Sequence, residues 1–261
     1  MVKFIVFWFC LITINISNAQ SKVASIKYLY SDISGNRTET LIADESKAFY
    51  QVLMKSDKKT KSSKTTIDSE DNVINITDFT NSTIANFIFL KNSEDFNYSY
   101  LKTTSEELMV LDKMPKLNWK LLNNEKKINV FECKKAEVEF RGRKFIAWYA
   151  PEVAIPFGPF KFKGLPGLII NMESTYNGNT IQWNLSSLKF NDSSYVPSKD
   201  DFKGRETTLR AILTNESEER NERSKRTLAK MNRGVRQTKV TVQRLGAERI
   251  YEWETEDEEK K

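Results

Sequence analysis

AEVEFRGRKFIAWYA, Ala136 to Ala150, is the stretch on which the fold turns. Ala136, Val138 and Phe140 fall on one side of an extended chain, and Glu137 and Glu139 fall on the other. Such period-two alternation marks a half-buried strand. Arg141-Gly142-Arg143 reads as a tight hairpin turn in which glycine supplies the unusual backbone angle. Lys144 to Ala150 then returns as a second strand.

The same pattern extends in both directions. Upstream, Val23–Tyr30, Thr40–Ala43, Ala48–Leu53, Ile84–Leu90, Phe96–Leu101, Leu108–Leu111 and Ile128–Cys133 are strand-length apolar or aromatic runs, with Gly35-Asn36 a turn. Downstream, Leu168–Met172 is apolar and Tyr176-Asn177-Gly178-Asn179 is a strong hairpin turn. Ile181, Trp183 and Leu185 then alternate with Gln182 and Asn184. Strands joined by turns and not by helices predict an antiparallel sheet. The run Lys55–Asp71 (KSDKKTKSSKTTIDSED) has almost no apolar residue and reads as a flexible basic insert at 55–71. Beyond Pro197 the composition turns charged. Leu209, Ile212 and Leu213 begin an amphipathic helix, continued by the pairs Glu216-Arg220, Glu219-Arg223 and Glu222-Arg226. Arg236–Leu245 alternates as a final strand, 246–261 reads as an acidic tail, and Glu252–Lys261 within it reads as disordered.

The N-terminus sets an expectation about compartment. Lys3 precedes an apolar run, Phe4–Ile16, and Ser17-Asn18-Ala19 puts small residues before Gln20. That order is the signature of an export signal cut between Ala19 and Gln20. The run, about 13 residues, is shorter than the roughly 20 that a bilayer span needs. Cutting there leaves a mature chain with no transmembrane segment, periplasmic or secreted. Of the two cysteines, Cys10 goes with the signal and Cys133 remains, in an apolar-alternating context that predicts burial.

Composition also excludes chemistry. The chain of 261 residues contains no histidine. Ser-His-Asp and Cys-His catalysis and imidazole-ligated zinc are therefore ruled out. No carboxylate spacing matches a calcium loop, and no metal or cofactor is expected. The formal charge of +6 would suit nucleic acid, but an exported chain has little use for that partner; a solvated basic surface is the reading adopted. Glu137 and Glu139, projecting from one strand face roughly 7 Å apart, could serve as acid and base. The alternative is a solvent face balanced by Arg141 and Arg143, which the alternation itself favours.

Glycine and proline number only nine and six, yet Pro151, Pro156, Gly158, Pro159, Gly164, Pro166 and Gly167 crowd into one run containing GPFKFKGLPGLII, Gly158–Ile170. It is not a phosphate loop: Leu165-Pro166 stands where Lys and Ser/Thr belong, and proline removes an amide donor. A tight corner, with Gly167 free to take positive φ, is preferred over a ligand loop.

Several elements here resemble the GLPGLI family of exported Bacteroidetes proteins: Trp119-Lys120, Cys133-Lys134-Lys135-Ala136, Gly142-Arg143 with Ala147-Trp148-Tyr149, Pro156, Gly158-Pro159 with Lys161-Phe162, and the hexapeptide Gly164-Leu165-Pro166-Gly167-Leu168-Ile169. Ala150 departs from the family's more usual threonine, and Asn129-Val130-Phe131 from its Gly-Tyr. The resemblance implies an exported β-rich protein of unknown molecular function, similar to a bowl-shaped accessory domain found on a bacterial glycoamidase.

Together these readings predict a mainly β protein: one curved antiparallel sheet of roughly ten strands, bowl- or half-barrel-like, over 20–197. A charged helical extension with a final strand covers 198–245. Three functions stay open. One is a non-catalytic envelope module binding a protein partner or an apolar ligand through Trp148, Tyr149, Phe157, Gly158, Pro159, Gly164, Leu165, Pro166 and Gly167. The others are a histidine-free hydrolase of glycan or peptide and a carrier of a lipid-like ligand in the sheet's concavity.

Overall fold

The computed structural model describes residues 23–52, 62–68, 73–80, 87–91, 93–103, 105–191, 195–230 and 237–258. The export-signal reading, with Ala19 and Gln20, lies outside the described residues, as do 55–61 and 69–71 of the insert. The strands are β1 (Val23–Asp32), β2 (Gly35–Ala43), β3 (Lys47–Val52), β4 (Ser62–Asp68), β5 (Val73–Thr80), β6 (Phe87–Lys91), β7 (Phe96–Lys102), β8 (Glu107–Lys113), β9 (Lys120–Ile128), β10 (Phe131–Phe140), β11 (Arg143–Ala150), β12 (Leu168–Tyr176), β13 (Asn179–Asn191), β14 (Arg205–Thr208) and β15 (Gln237–Arg244). The helices are α1 (Leu209–Lys230) and α2 (Glu252–Glu258).

Twelve strands form one open sheet in the order β14-β8-β7-β6-β3-β2-β1-β13-β12-β11-β10-β9. Two meanders make it: β1 to β3 and then β6 to β8 step outward one way, while β4 and β5 leave the sheet between them, and β9 to β13 steps inward from the far edge until β13 pairs with β1. The curvature follows from one short connection. Residues 114–119 carry the chain from β8 to β9, ten inter-strand steps away in the sheet order. Flat, that separation is about 48 Å, whereas seven Cα steps reach about 25 Å at most. The sheet must therefore curl until its two ends approach.

The mainly β, curved-sheet reading holds, with more strands than the ten expected and one parallel pair, β14 with β8. The insert departs from its flexible reading over Ser62–Asp68, which pairs residue by residue with β5. Backbone ladders do not need apolar side chains, which is why composition missed this strand. The expected last strand exists as β15, but it joins β5 in a separate three-stranded sheet.

The concave face is apolar by pleat parity: Ile26, Tyr28 and Tyr30 on β1, Leu41 on β2, Tyr50 on β3, Phe140 on β10, Phe145 on β11 and Trp183 on β13 share one cluster. The loop between β11 and β12 fills it. These strands are neighbours, and a hairpin would need only two to five residues; the chain instead sends Pro151–Gly167 into the bowl. Phe157 and Phe162 are fully buried, with the Phe162 ring 4.7 Å from Phe145 and 5.2 Å from Phe140. A buried loop must satisfy its own backbone. Gly158 N donates to Phe162 O (2.9 Å), Gly164 N to Pro156 O (2.8 Å) and Leu168 N to Val153 O (3.0 Å), while Trp119 Nε1 donates to Lys163 O (2.9 Å).

The convex face carries a second cluster, Phe49, Phe89, Tyr100 and Met109, covered by Val196 and Phe202 of the segment after β13. The Phe202 ring centroid lies 5.1 Å from that of Phe89 and 5.2 Å from that of Tyr100. This strap explains why β14 arrives parallel to β8: the chain has crossed behind the sheet before reaching its edge. Leu209 of α1 then packs on Leu108 and Val110, and the helix from there to Arg226 is mostly exposed, as its charged sequence predicts.

Candidate functional site

Buried charged residues from distant parts of the chain meet beside the β10–β11 turn. Phe140 and Arg143 close a two-residue turn, with Arg141 at φ 44 and Gly142 at φ 78, the pair of positive angles that a twisted hairpin favours. That geometry sends the Arg141 side chain inward. Its Nη2 donates to Asp112 Oδ1 at 2.7 Å and its Nη1 to Asp112 Oδ2 at 3.0 Å. Nη1 also reaches Glu248, Nε reaches Glu252 Oε1 at 3.1 Å, and Nη2 reaches the Lys113 carbonyl at 3.1 Å. Lys161, from the loop inside the bowl, donates to Asp112 Oδ2 at 2.7 Å and Glu248 Oε1 at 2.8 Å.

Four separate stretches meet here: the end of β8, the β10–β11 turn, the inner loop and the C-terminal segment. Burial alone would push the Asp112 carboxyl up, but Lys161 and Arg141 beside it hold it below the usual carboxylate range. Burial works against the Arg141 charge, and Glu248 and Asp112 outweigh it, so the guanidinium is raised further. Every nitrogen of Arg141 has a partner, and the adjoining cavity measures about 10 Å³, the room of a single water. The chemistry of this arrangement is that of a clasp: among the described residues its charges saturate one another, and the cavity beside them holds about one water.

A second buried carboxylate sits on β2. Glu39 accepts from Tyr50 Oη, from Trp183 Nε1 at 2.7 Å and from Arg37 Nε at 2.7 Å, and Arg37 lies 3.8 Å over the Tyr30 ring. Burial, then the Glu39 charge, pushes the Tyr50 hydroxyl well above its ordinary value, so it remains a donor.

The sequence-predicted site residues do not form one surface. Trp148 is half-buried on the convex side, with Lys126 Nζ 5.6 Å from its ring, whereas Tyr149 faces the core. Phe157, Gly158, Pro159, Leu165 and Gly167 are buried; Gly164 and Pro166 are exposed. Glu137 and Glu139 lie on the convex face as the alternation requires. Lys144 hydrogen-bonds Glu137 at 2.9 Å and lowers its pKa, and Glu139 is exposed. The balancing role given to Arg141 and Arg143 is wrong: both point inward and are buried. Arg143, opposite Phe140 across the hairpin, shares the face of Phe140 and Phe145, and Arg141 stands in the turn, where its positive φ and not strand alternation directs the side chain.

Cys133 is buried, and burial, with Glu152 adding to it, raises the thiol to about 11. An ordinary cysteine titrates near 8.5, so at pH 8 the reactive thiolate is on the order of a hundredfold scarcer. Reaction of the native protein with a disulfide reagent should be slower than that of free cysteine by about that factor or more, measured by absorbance. A rate equal to that of free cysteine would contradict the buried assignment.

Residues 97–171 match the family model described as a protein of unknown function (Porph_ging). The matched span runs from β7 to the start of β12 and includes Asp112, Arg141, Lys161 and the whole inner loop. Among solved structures, one described as PNGF-II in a P21 crystal form is similar with a TM-score of 0.50 and 14% identity, over 74% of this chain and 33% of that one. A second PNGF-II structure, in a C2 form, gives a TM-score of 0.48 and 13% identity, over 74% of this chain and 32% of that one. The chain thus spans about a third of the PNGF-II chain, and the likeness is one of fold. No curated protein matches the sequence.

Sequence reasoning missed Asp112, Lys161, Glu248 and Glu39. For two of them a signal existed. Glu39 shares parity with Leu41 and Ala43, and Asp112 with Leu108 and Val110, so each is a charge on the apolar face of a strand. Lys161 and Glu248 lie in irregular segments, where no period marks the inward side.

Proposed function

We propose that the protein is an exported cell-envelope module that binds or scaffolds a partner without catalysing a reaction, and that its hexapeptide Gly164–Ile169 makes it one of the GLPGLI proteins. The observation that carries this reading is the occupation of the bowl by the chain's own loop. Phe157, Phe160, Phe162 and Leu165 take the volume in which a lipid-like ligand would sit, so the carrier reading loses its site. The hydrolase reading loses support because Glu137 and Glu139 stand on the open convex face. The order of charged, apolar and small residues before Gln20 supports export. Within the family motif, Tyr149, Phe157, Gly158, Pro159, Leu165 and Gly167 shape the loop. Trp148, Gly164 and Pro166 are the members exposed enough to meet a partner.

The test is crosslinking in the native envelope followed by mass spectrometry, repeated with Trp148→Ala. One protein recovered in fixed ratio, and lost in the variant at unchanged melting temperature, is the expected result. Recovery of only abundant envelope proteins in variable ratio, equally with Trp148→Ala, would reject the module reading.

A further inference from the structure

Arg143 opens β11 with its side chain on the inner face and is 3% exposed. Its Nη2 donates to the Leu245 carbonyl at 2.7 Å, while Nε and Nη1 have no hydrogen-bond partner among the described residues. Arg249, carried past the turn by the C-terminal segment, lies beside it. The Arg249 guanidinium is 3.2 Å from the Tyr176 ring centroid and that of Arg143 is 5.8 Å from the same ring. Arg249 Nη1 donates to the Gly142 carbonyl at 2.8 Å.

Arg37, Arg141, Arg205 and Arg244 each have a carboxylate within salt-bridge distance. Arg143 and Arg249 have none among the described residues. Burial, and then the neighbouring Arg249 charge, lower the Arg143 pKa. Two guanidiniums around one ring, one of them desolvated, destabilise each other unless a counter-charge joins them. Ser174, the inward-facing residue of β12 before Tyr176, is also buried with an unpartnered hydroxyl.

We propose that Arg143 and Arg249 form a binding site for a tetrahedral oxyanion of the phosphate class. Guanidinium forks match such an ion through paired N–H···O bonds. Two guanidinium forks bring more N–H donors than the two oxygens of a carboxylate accept, and they suit the oxygens of a tetrahedral ion better. Arg249, the more exposed arginine, is the side from which the ion reaches Arg143, and the bound ion ties β11 to the C-terminal segment. Inorganic phosphate and the phosphoryl group of a phosphomonoester share this chemistry.

Thermal melting and calorimetric titration of the purified protein test it, with inorganic phosphate, glycerol 1-phosphate and acetate compared at constant ionic strength. Phosphate should raise the melting temperature saturably, and Arg249→Gln should weaken its binding tenfold or more while melting normally without the ion. Arg249→Lys, which keeps charge and loses the fork, should fall between them. Glycerol 1-phosphate binding as tightly as phosphate assigns the site to phosphoryl groups; binding of inorganic phosphate alone assigns it to the free ion. No saturable rise, an equal rise in Arg249→Gln, or equal binding of acetate would overturn the proposal.

Discussion

Arg141→Asn should destabilise the protein by about 3–5 kcal/mol, because it removes the cation from a buried ionic cluster and leaves carboxylates uncompensated. Asparagine is the informative replacement: it tolerates the left-handed backbone that Arg141 adopts at φ 44, so the loss reads the charge and not the turn. At about 2–4 °C per kcal/mol for a chain of this size, the melting temperature should fall by roughly 10 °C. The C-terminal segment should also become sensitive to protease, since Glu248 and Glu252 bind it to the turn through Arg141. The pH dependence has a definite sign. Asp112 has a depressed folded pKa, so its contribution is present above the ordinary value of about 3.9 and is lost as pH falls through the lower folded value. Between pH 5 and 3, wild type should therefore lose stability more steeply than Arg141→Asn. Parallel profiles and an unchanged melting temperature would show that the cluster is stabilised otherwise.

Gly167→Ala should be as damaging, for a reason of space. Gly167 takes φ 150, and a Cβ there would lie 2.8 Å from the Ala150 carbonyl carbon and 2.9 Å from Pro151 Cα, closer still to the Ala150 oxygen. These are backbone atoms at the end of β11 and cannot rotate away. Backbone strain and overpacking each cost about 1–3 kcal/mol, so a loss of about 4 kcal/mol is expected. Gly164 is the control: it has φ 91, but nothing lies within 4 Å of its added Cβ. Gly164→Ala should therefore cost only the left-handed penalty of about 1–2 kcal/mol. Denaturant unfolding monitored by tryptophan fluorescence separates the two. Equal losses in the two variants would mean that the contact with β11 is relaxed at no cost.

The hairpins were readable because their turns have a local cause: Arg141-Gly142 and Asn177-Gly178 each carry two positive φ angles. The strands of the main sheet were readable where one face is apolar. What the Gly/Pro run did was less readable. Pro156, Gly158 and Gly164 announce bends, but nothing local says that Phe157, Phe160 and Phe162 turn into the concavity of the sheet to which they belong. The C-terminal segment was misread for a similar reason. The acidic composition of Glu252–Lys261 suits disorder, yet Glu252–Glu258 is α2, anchored by the buried Glu248 and Tyr251 just before it. The cations that make this favourable, Arg141 and Lys161, lie about a hundred residues earlier. Long-range charge pairing leaves no period in the sequence.

The pairing of β1 with β13 has a consequence for folding time. Val23 meets Asn191 and Ser31 meets Gln182, so a strand at the middle of the sheet waits for one made far later in the chain. The first meander must hold β1 as a bare edge, its Tyr28 and Tyr30 uncovered, until the second has formed. Such non-local closure slows folding, and a β1 edge without its partner is a template for wrong pairing. A chain emerging from its N-terminus therefore gains most from a chaperone before Asn191 has appeared.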